Sequence, residues 1–117
     1  RSGESQHEGA FNGLPGISEL ELIGPKPIDW EHGFTVSEIR MDEGTSIASH
    51  RLDVADVHFV QSGQVIATLD GEEITLTAGD TVTFPVGASR SLVNSGEQSA
   101  CLVAVRGGNE RPAIDWV

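Results

Sequence analysis

Four side chains that could bind a ligand or move a proton lie between residues 50 and 90: His50, Asp56, His58 and Arg90. Imidazole and carboxylate groups hold transition metals and act as general acids or bases. A guanidinium group stays protonated and fits planar oxyanions such as carboxylate or phosphate. Because side chains alternate along a strand, Asp56 and His58 should point to the same face. The sequence contains no Gly-rich phosphate loop, nucleophile elbow or Cys/His zinc spacing.

The elements that must position these residues are short β-strands. Alternating or apolar runs bounded by turn residues predict strands at 18–23, 34–40, 46–52, 55–61, 64–69, 72–77, 81–85, 90–93 and 99–105. The first is a candidate edge strand, and Pro25 and Pro27 make the stretch after it a connection. Asp70-Gly71 predicts a two-residue hairpin turn, because both of its positions need positive φ. No helix is predicted, so the pattern is typical of an all-β sandwich or barrel.

Two longer patterns make the fold prediction more specific. Their members, in chain order, are Gly44, His50, Leu52, Asp56 and Gly63, then Gly79, Pro85, Gly87, Arg90 and Asn94. The spacing resembles the two motifs of the cupin superfamily, G-x5-H-x-H-x3,4-E-x6-G and G-x5-P-x-G-x2-H-x3-N. Glycine and proline at such places mark turns that the chain must make. The resemblance covers residues 44–94 and implies a double-stranded β-helix, a jelly-roll barrel with a pocket inside it.

The resemblance carries over only part of the family's metal-ligand set. In metal-binding cupins two histidines and a glutamate of the first motif, with a histidine of the second, hold a divalent transition metal. His50, Leu52, Asp56 and Arg90 stand at those places here. Leucine has no lone pair, and arginine would repel a cation. We therefore expect no metal cofactor; the alternative is that His50, Asp56 and His58 hold Fe, Mn, Ni or Zn.

Arg90 has two further interpretations. It could pair with Asp56 across the pocket, so that an internal ion pair replaces the metal. It could instead remain free to clamp the carboxylate or phosphate of a small ligand. In either case His50, Asp56, His58 and Arg90 are the predicted ligand-binding residues.

Charge and cysteine content limit the partners and the location. Acidic residues outnumber basic ones by eighteen to seven, and the formal net charge is -11. So negative a surface disfavours nucleic acid and membrane partners. The single cysteine, Cys101, cannot form an internal disulfide, and its apolar neighbours predict a small buried side chain. We therefore expect a cytoplasmic location.

The two ends of the chain differ in composition. Residues 1–16 are rich in glycine and polar residues, which predicts a flexible arm or interdomain linker, and the barrel should follow over 17–117. A covalently linked neighbouring domain is one expected partner, and a second copy in a two-fold homodimer is another. Trp30 and Trp116 are expected to cover the barrel ends or an interface.

Two main classes of function are consistent with these residues, and a storage or purely structural role through barrel dimerisation is a third alternative. The first is a binding, regulatory or assembly module that takes a small, anionic molecule without a metal. The second is an enzyme of the isomerase, lyase or dioxygenase type. It would use His50, Asp56 and His58 as metal ligands, or His50 or His58 as a metal-free acid/base with Arg90 orienting an anionic substrate. The fold alone does not choose between them, because one fold carries many functions.

Overall fold

The computed structural model describes residues 7–8, 11, 13–23, 33–108 and 113–117. Every regular element within those ranges is a β-strand. The strands are β1 (His7–Glu8), β2 (Ile17–Ile23), β3 (Phe34–Met41), β4 (Ser46–Leu52), β5 (Asp56–Ser62), β6 (Gln64–Leu69), β7 (Glu72–Thr77), β8 (Thr81–Phe84), β9 (Arg90–Val93), β10 (Ala100–Gly107) and β11 (Ile114–Trp116). No helix that could span a membrane occurs in this described part of the chain.

The strands form two facing sheets. One has six strands in the order β1-β2-β3-β10-β5-β8, and the other has five in the order β11-β4-β9-β6-β7. Every pairing is antiparallel. From β3 to β10 the chain changes sheet at each connection except the β6–β7 hairpin. This alternation is the jelly-roll arrangement, so the predicted all-β barrel is confirmed.

All nine predicted strands are present, with ends shifted by two residues at most. The hairpin turn is also confirmed, since Asp70 has φ 48° and Gly71 has φ 88°. The prediction of an edge position for β2 needs correction, because β1 pairs with β2 through His7↔Glu21 and Glu8↔Leu20. β1 and β11 were not predicted, since strands of two and three residues show no periodicity.

The described residues of the N-terminal stretch are attached to the barrel. β1 adds to the six-stranded sheet, and the side chain of Phe11 is buried in the core. For residues 1–6, 9–10 and 12, which lie outside the described ranges, a flexible arm or linker stays a prediction, as does the domain boundary at residue 16. Trp30 also lies outside the described residues.

The barrel interior is apolar at one end and polar at the other. Along β5 the inward positions change from Asp56 and His58 to Val60, and along β10 from Arg106 to Ala104 and Leu102. The register brings like residues together, because Asp56 lies opposite Arg106 and Val60 opposite Leu102. The polar end thus collects side chains from both sheets, and the apolar end supplies the packed core.

β2 reverses the usual burial pattern of an alternating strand. Glu19 and Glu21 are buried, whereas Leu22 is 42% exposed. Alternation alone would place the leucines inward, because apolar side chains are normally the buried ones. The carboxylates face inward here because the barrel interior provides a charged partner, as the ion pair of Glu19 with Arg106 shows.

A polar side chain also fixes the connection between β9 and β10. Asn94 is fully buried, and its Nδ2 donates to the carbonyl oxygens of Met41 (3.0 Å) and Gln98 (2.9 Å). Its Oδ1 accepts from the backbone N–H of Gly96 at 3.1 Å. Asn94 therefore ties the end of β3 to the turn that leads into β10, at the apolar end of the barrel.

Candidate ligand site in the barrel interior

Asp56 is the centre of the polar end. It is the first residue of β5, faces inward, and is 1% exposed. Its Oδ2 accepts from Nε2 of His58 at 2.9 Å and from Nη1 of Arg90 at 3.2 Å. Nε of Arg106 lies 3.6 Å from the same oxygen, within ion-pair range but beyond a hydrogen bond. One carboxylate oxygen thus joins an imidazole and two guanidinium groups.

The Asp56–Arg90 ion pair crosses the barrel. Asp56 belongs to the six-stranded sheet and Arg90 to the five-stranded sheet, so their contact links the two inner faces. The guanidinium carbon of Arg90 also lies 4.8 Å from the centroid of the Phe84 ring. Of the two interpretations of Arg90, the internal ion pair is observed. That pair engages only Nη1 of the Arg90 guanidinium group.

Arg106 and Glu19 complete the charged cluster and were not among the predicted site residues. Arg106 is 3% exposed, and its Nη1 pairs with Oε2 of Glu19. A period-two count along β10 would have found Arg106, because it shares the inward parity of Leu102 and Ala104. The sequence pattern does not indicate that Glu19 is buried, because β2 turns its glutamate side chains inward and exposes Leu22.

His50 lies beside this cluster on the five-stranded sheet. It is 2% exposed and stands directly opposite Arg90 in the β4–β9 register. Its Nδ1–H donates to the carbonyl oxygen of Ala48 at 2.8 Å. Burial and the nearby positive charge of Arg90 lower the pKa of His50, although the bond to Ala48 opposes this shift. His50 is therefore neutral near pH 7, with Nε2 as a hydrogen-bond acceptor.

The carboxylate of Asp56 stays ionised although it is buried. Burial alone would raise its pKa, but the charge and hydrogen bond of His58 and the charges of the two arginines lower the pKa below the usual value. The pKa of Arg106 moves the other way, because Glu19 and Asp56 outweigh its burial and raise it. Burial lowers the pKa of Arg90, which remains a cation since its ordinary pKa is so high.

Six buried polar atoms in the cluster have no hydrogen-bond partner among the described residues: Asp56 Oδ1, His58 Nδ1, Arg90 Nε and Nη2, and Arg106 Nε and Nη2. A buried donor without a partner costs about 1–3 kcal/mol, and more when it is charged. Four of these atoms are guanidinium nitrogens, so the cluster offers mainly donors. They are placed to bond to an acceptor that the described residues do not supply.

The cluster does not fit a metal ion. Leu52 is buried at one family ligand position, and Arg90 brings a positive charge to another. Within the described ranges no three His, Cys, Asp or Glu side chains are arranged to hold a metal. Of the alternative trio His50, Asp56 and His58, the last two are hydrogen-bonded to each other and His50 takes no part in that contact; the absence of a metal cofactor stays a prediction.

The site is closed to solvent in this structure. His50, Asp56, His58, Arg90 and Arg106 are each at most 3% exposed. Phe11 and Trp116 lie against His50, with ring centroids 5.1 Å from the imidazole in both cases. Two surface clefts of ≈ 350 and ≈ 310 Å³ are lined by other residues. A ligand of the cluster would have to enter past a covering side chain.

Cys101 lies away from this site. It is 5% exposed, as predicted for a small buried side chain, and its Sγ contacts Oε1 of Gln61 at 3.4 Å. Burial and the nearby Glu38 carboxylate raise the pKa of the thiol. Cys101 is therefore held in the unreactive thiol form.

Comparison with known families places the fold. The sequence model described as "Cupin domain" matches residues 37–106, more than half of the chain. The match spans all the motif positions from Gly44 to Asn94. The chain belongs to the cupin family.

Solved structures with the same fold belong to proteins of different kinds. An RmlC-like cupin from Shewanella frigidimarina is 21% identical, with a TM-score of 0.70 over 92% of this chain and 87% of that chain. The polyketide cyclase RemF from Streptomyces resistomycificus is 19% identical, with a TM-score of 0.77 over 100% of this chain and 83% of that chain. Vicilin from hazelnut, Corylus avellana, is 15% identical, with a TM-score of 0.83 over 99% of this chain and 36% of that chain. Likeness at this level of identity establishes the fold and leaves the function open.

Proposed function

We propose that this cupin domain binds a small carboxylate inside its barrel through Arg90 and Arg106, without a metal, and serves as a binding or regulatory module. The observation that carries the proposal is the set of buried guanidinium nitrogens with no partner among the described residues. A planar carboxylate matches the fork of an arginine and accepts two parallel hydrogen bonds. His58 Nδ1 offers a further polar contact to such a ligand, whereas Nε2 of His50 is an acceptor and would bond to a hydroxyl or N–H group of the ligand rather than to its carboxylate.

The charge of the interior favours a monoanion over a phosphate dianion. The buried acidic and basic side chains of the described residues are Glu19, Glu21, Asp56, Arg90 and Arg106. Three carboxylates and two guanidinium groups provide no excess of positive charge, so each negative charge on a ligand is opposed, and a dianion is opposed more than a monoanion. Binding therefore depends on directed hydrogen bonds in a low-dielectric interior, where such bonds are strong.

Titration of the protein with acetate, followed by NMR, tests this function. Four non-hydrogen atoms limit the affinity, so we expect a dissociation constant of about 0.1–10 mM. Arg90→Lys keeps the charge but removes the fork, and it should weaken acetate binding at least about tenfold. The matched control is Arg51→Lys, an exposed position on the same sheet, which should change nothing. Absence of acetate binding, or equal binding by both variants, would contradict the proposal.

A metal-free enzyme is the second candidate function. The hydrogen bond of His58 Nε2 to Asp56 fixes the imidazole and leaves Nδ1 as the group that could move a proton. Arg90 would then orient an anionic substrate, as in an isomerase or lyase. Turnover of a bound carboxylic acid that is lost in His58→Gln, while acetate still binds, would favour the enzyme. Unchanged turnover in that variant would exclude this mechanism.

We also infer a homodimer that forms through the outer face of the six-stranded sheet. Its outward side chains include Val57, Phe59 and Val105, which are each about two-fifths exposed. Val105 lies opposite Val57 in the register and Phe59 lies opposite Val103, so these apolar side chains are contiguous. The cytoplasmic location and a covalently linked neighbouring domain remain part of this proposal; the single free cysteine supports the first.

A further inference from the structure

The ring of Phe11 fills a recess formed by His50, Trp116 and Arg106, beside the charged cluster. Phe11 is 1% exposed although it belongs to no strand. Its ring meets the His50 ring edge to face at 5.1 Å, and the guanidinium carbon of Arg106 lies 5.3 Å from its centroid. The ring of Trp116 lies at 6.3 Å on a third side. Phe11 is thus surrounded by groups that recognise a flat aromatic ring.

The attachment of Phe11 differs from that of a strand residue. Its backbone N–H donates to Oε1 of Glu19 at 2.9 Å, and its carbonyl oxygen accepts from the N–H of Leu14 at 3.3 Å. The first bond is to the carboxylate that also pairs with Arg106. Phe11 is therefore held by the side chain of Glu19 and by a turn, whereas other core residues such as Val60 are fixed by the hydrogen bonds of the sheet.

Arg106 borders this recess and also carries guanidinium nitrogens that have no hydrogen-bond partner among the described residues. Arg106 stacks on Phe11, and Arg90 stands opposite His50, which touches the same ring. Both arginines flank Asp56 and have nitrogens without a hydrogen-bond partner in the described part of the chain. A molecule whose ring replaced that of Phe11 could present a ring substituent to those nitrogens. A ligand that takes the place of the Phe11 ring and also bonds to the arginine nitrogens would be an aromatic ring that carries a carboxylate.

We propose that Phe11 is an intramolecular competitor that occupies the ring half of the ligand site, and that the ligand is an aromatic monocarboxylate. This inference rests on the proposed carboxylate-binding function. It adds that the ligand carries an aromatic ring and that Phe11 controls ligand binding. Entry of the ligand displaces Phe11, so the affinity of the native protein is lowered by the population of the closed form. Truncation of Phe11 then removes the competitor and exposes the recess.

Benzoate and acetate as paired probes test this inference. Phe11→Ala should raise the affinity for benzoate about ten- to hundredfold, since the recess gains the burial of a whole ring. The affinity for acetate should change by less than about threefold, because acetate uses only the arginine half. Calorimetry or NMR titration of the native protein and of Phe11→Ala with each probe gives the four dissociation constants. Leu20→Ala, which truncates a half-buried apolar side chain of β2, is the matched control and should leave benzoate affinity unchanged.

The native protein offers a second measurement that does not depend on the folding of the variant. Saturating benzoate should abolish the nuclear Overhauser contacts between the Phe11 and His50 rings and replace them with contacts from benzoate to His50. Persistence of the Phe11–His50 contacts in the benzoate complex would overturn the inference. Equal benzoate affinity in Phe11→Ala would also overturn it, while acetate binding that depends on Arg90 would leave the proposed function intact. Failure of both probes to bind either protein would remove both proposals.

Discussion

Asp56 determines how the polar residues of the barrel are arranged. Its Oδ2 is shared by His58 and Arg90, with Arg106 slightly farther away. A single buried carboxylate with two guanidinium neighbours is stable only while all partners remain, because each charge has lost its hydration. The cluster is therefore both a structural element and, through the nitrogens that Asp56 leaves unpaired, the candidate binding site.

Removal of this carboxylate should destabilise the protein strongly. We expect Asp56→Ala to lower the free energy of unfolding by about 3–5 kcal/mol, because two buried cations lose a partner. Glu72→Gln, at an exposed carboxylate in the β6–β7 hairpin, is the control and should stay within about 0.5 kcal/mol. Urea unfolding of the three proteins measures both values. Similar midpoints for all three would show that the cluster contributes little.

His50 should make the stability depend on pH. Its pKa in the folded protein is lowered, so the unfolded chain takes up the proton more readily and stability falls as pH drops below about 6.5. Asp56 also has a lowered pKa, and its contribution is lost at lower pH, below about 3.9. In His50→Gln the urea midpoint should change less between pH 8 and pH 5 than in the native protein. Parallel pH profiles of the two proteins would contradict this assignment.

At the scale of the elements, antiparallel register is what assembles the site. Asp56 faces Arg106 across β5 and β10, and His50 faces Arg90 across β4 and β9. Side chains directly opposite on neighbouring strands lie within about 4.5–5.5 Å at Cβ. A slip of one residue in either pair would turn these side chains outward. The turns that fix the register are therefore as important to the site as the charged residues.

Gly63 is the most constrained of these turn positions. It has φ 82°, and an added Cβ would lie 2.7 Å from Cα of Ala100 and 2.8 Å from the carbonyl oxygen of Ser99. Gly71 has a similar φ of 88° but open space around the same position. Gly71→Ala should cost about 1–2 kcal/mol for the left-handed backbone alone, and Gly63→Ala clearly more because backbone atoms must move. Equal losses on thermal unfolding would show that β10 yields easily at Ala100.

Strand periodicity and motif spacing predicted most of the barrel, and chemistry at the family positions predicted part of the site. The strands and the Asp70-Gly71 turn could be read because apolar alternation and turn residues are local signals. Asp56 with His58 followed from alternation, and the Asp56–Arg90 pair was one of two alternatives. Glu19 and Phe11 could not be predicted, because their burial depends on tertiary partners that local patterns do not reveal.

At the scale of the whole molecule, charge and apolar surface are distributed unequally. The net charge is -11, yet the outer face of the six-stranded sheet presents contiguous valine and phenylalanine side chains around Phe59. Exposed apolar patches of this kind mark interaction sites in soluble proteins. A two-fold pairing of this face would bury it in both copies with one contact. The second sheet has fewer such side chains, with Val93 at 36% exposure.

The proposed dimer through this face can be tested with charged substitutions on each sheet. At about 50 µM we expect the native protein to sediment as a dimer, and Phe59→Glu to sediment as a monomer because it places a charge within the apolar contact. Val93→Glu puts the same charge on the other sheet and should remain dimeric. A native monomer, or a dimer that persists in Phe59→Glu and dissociates in Val93→Glu, would contradict the proposed interface.

X-ray diffraction from protein purified without chelators, with anomalous data, tests the central claim most directly. The account predicts no anomalous peak at the barrel centre, and water or a carboxylate within hydrogen-bond distance of Nε and Nη2 of Arg90, with Asp56 still paired to His58. A metal ion coordinated by His50, Asp56 and His58, or these side chains turned toward bulk solvent, would contradict it.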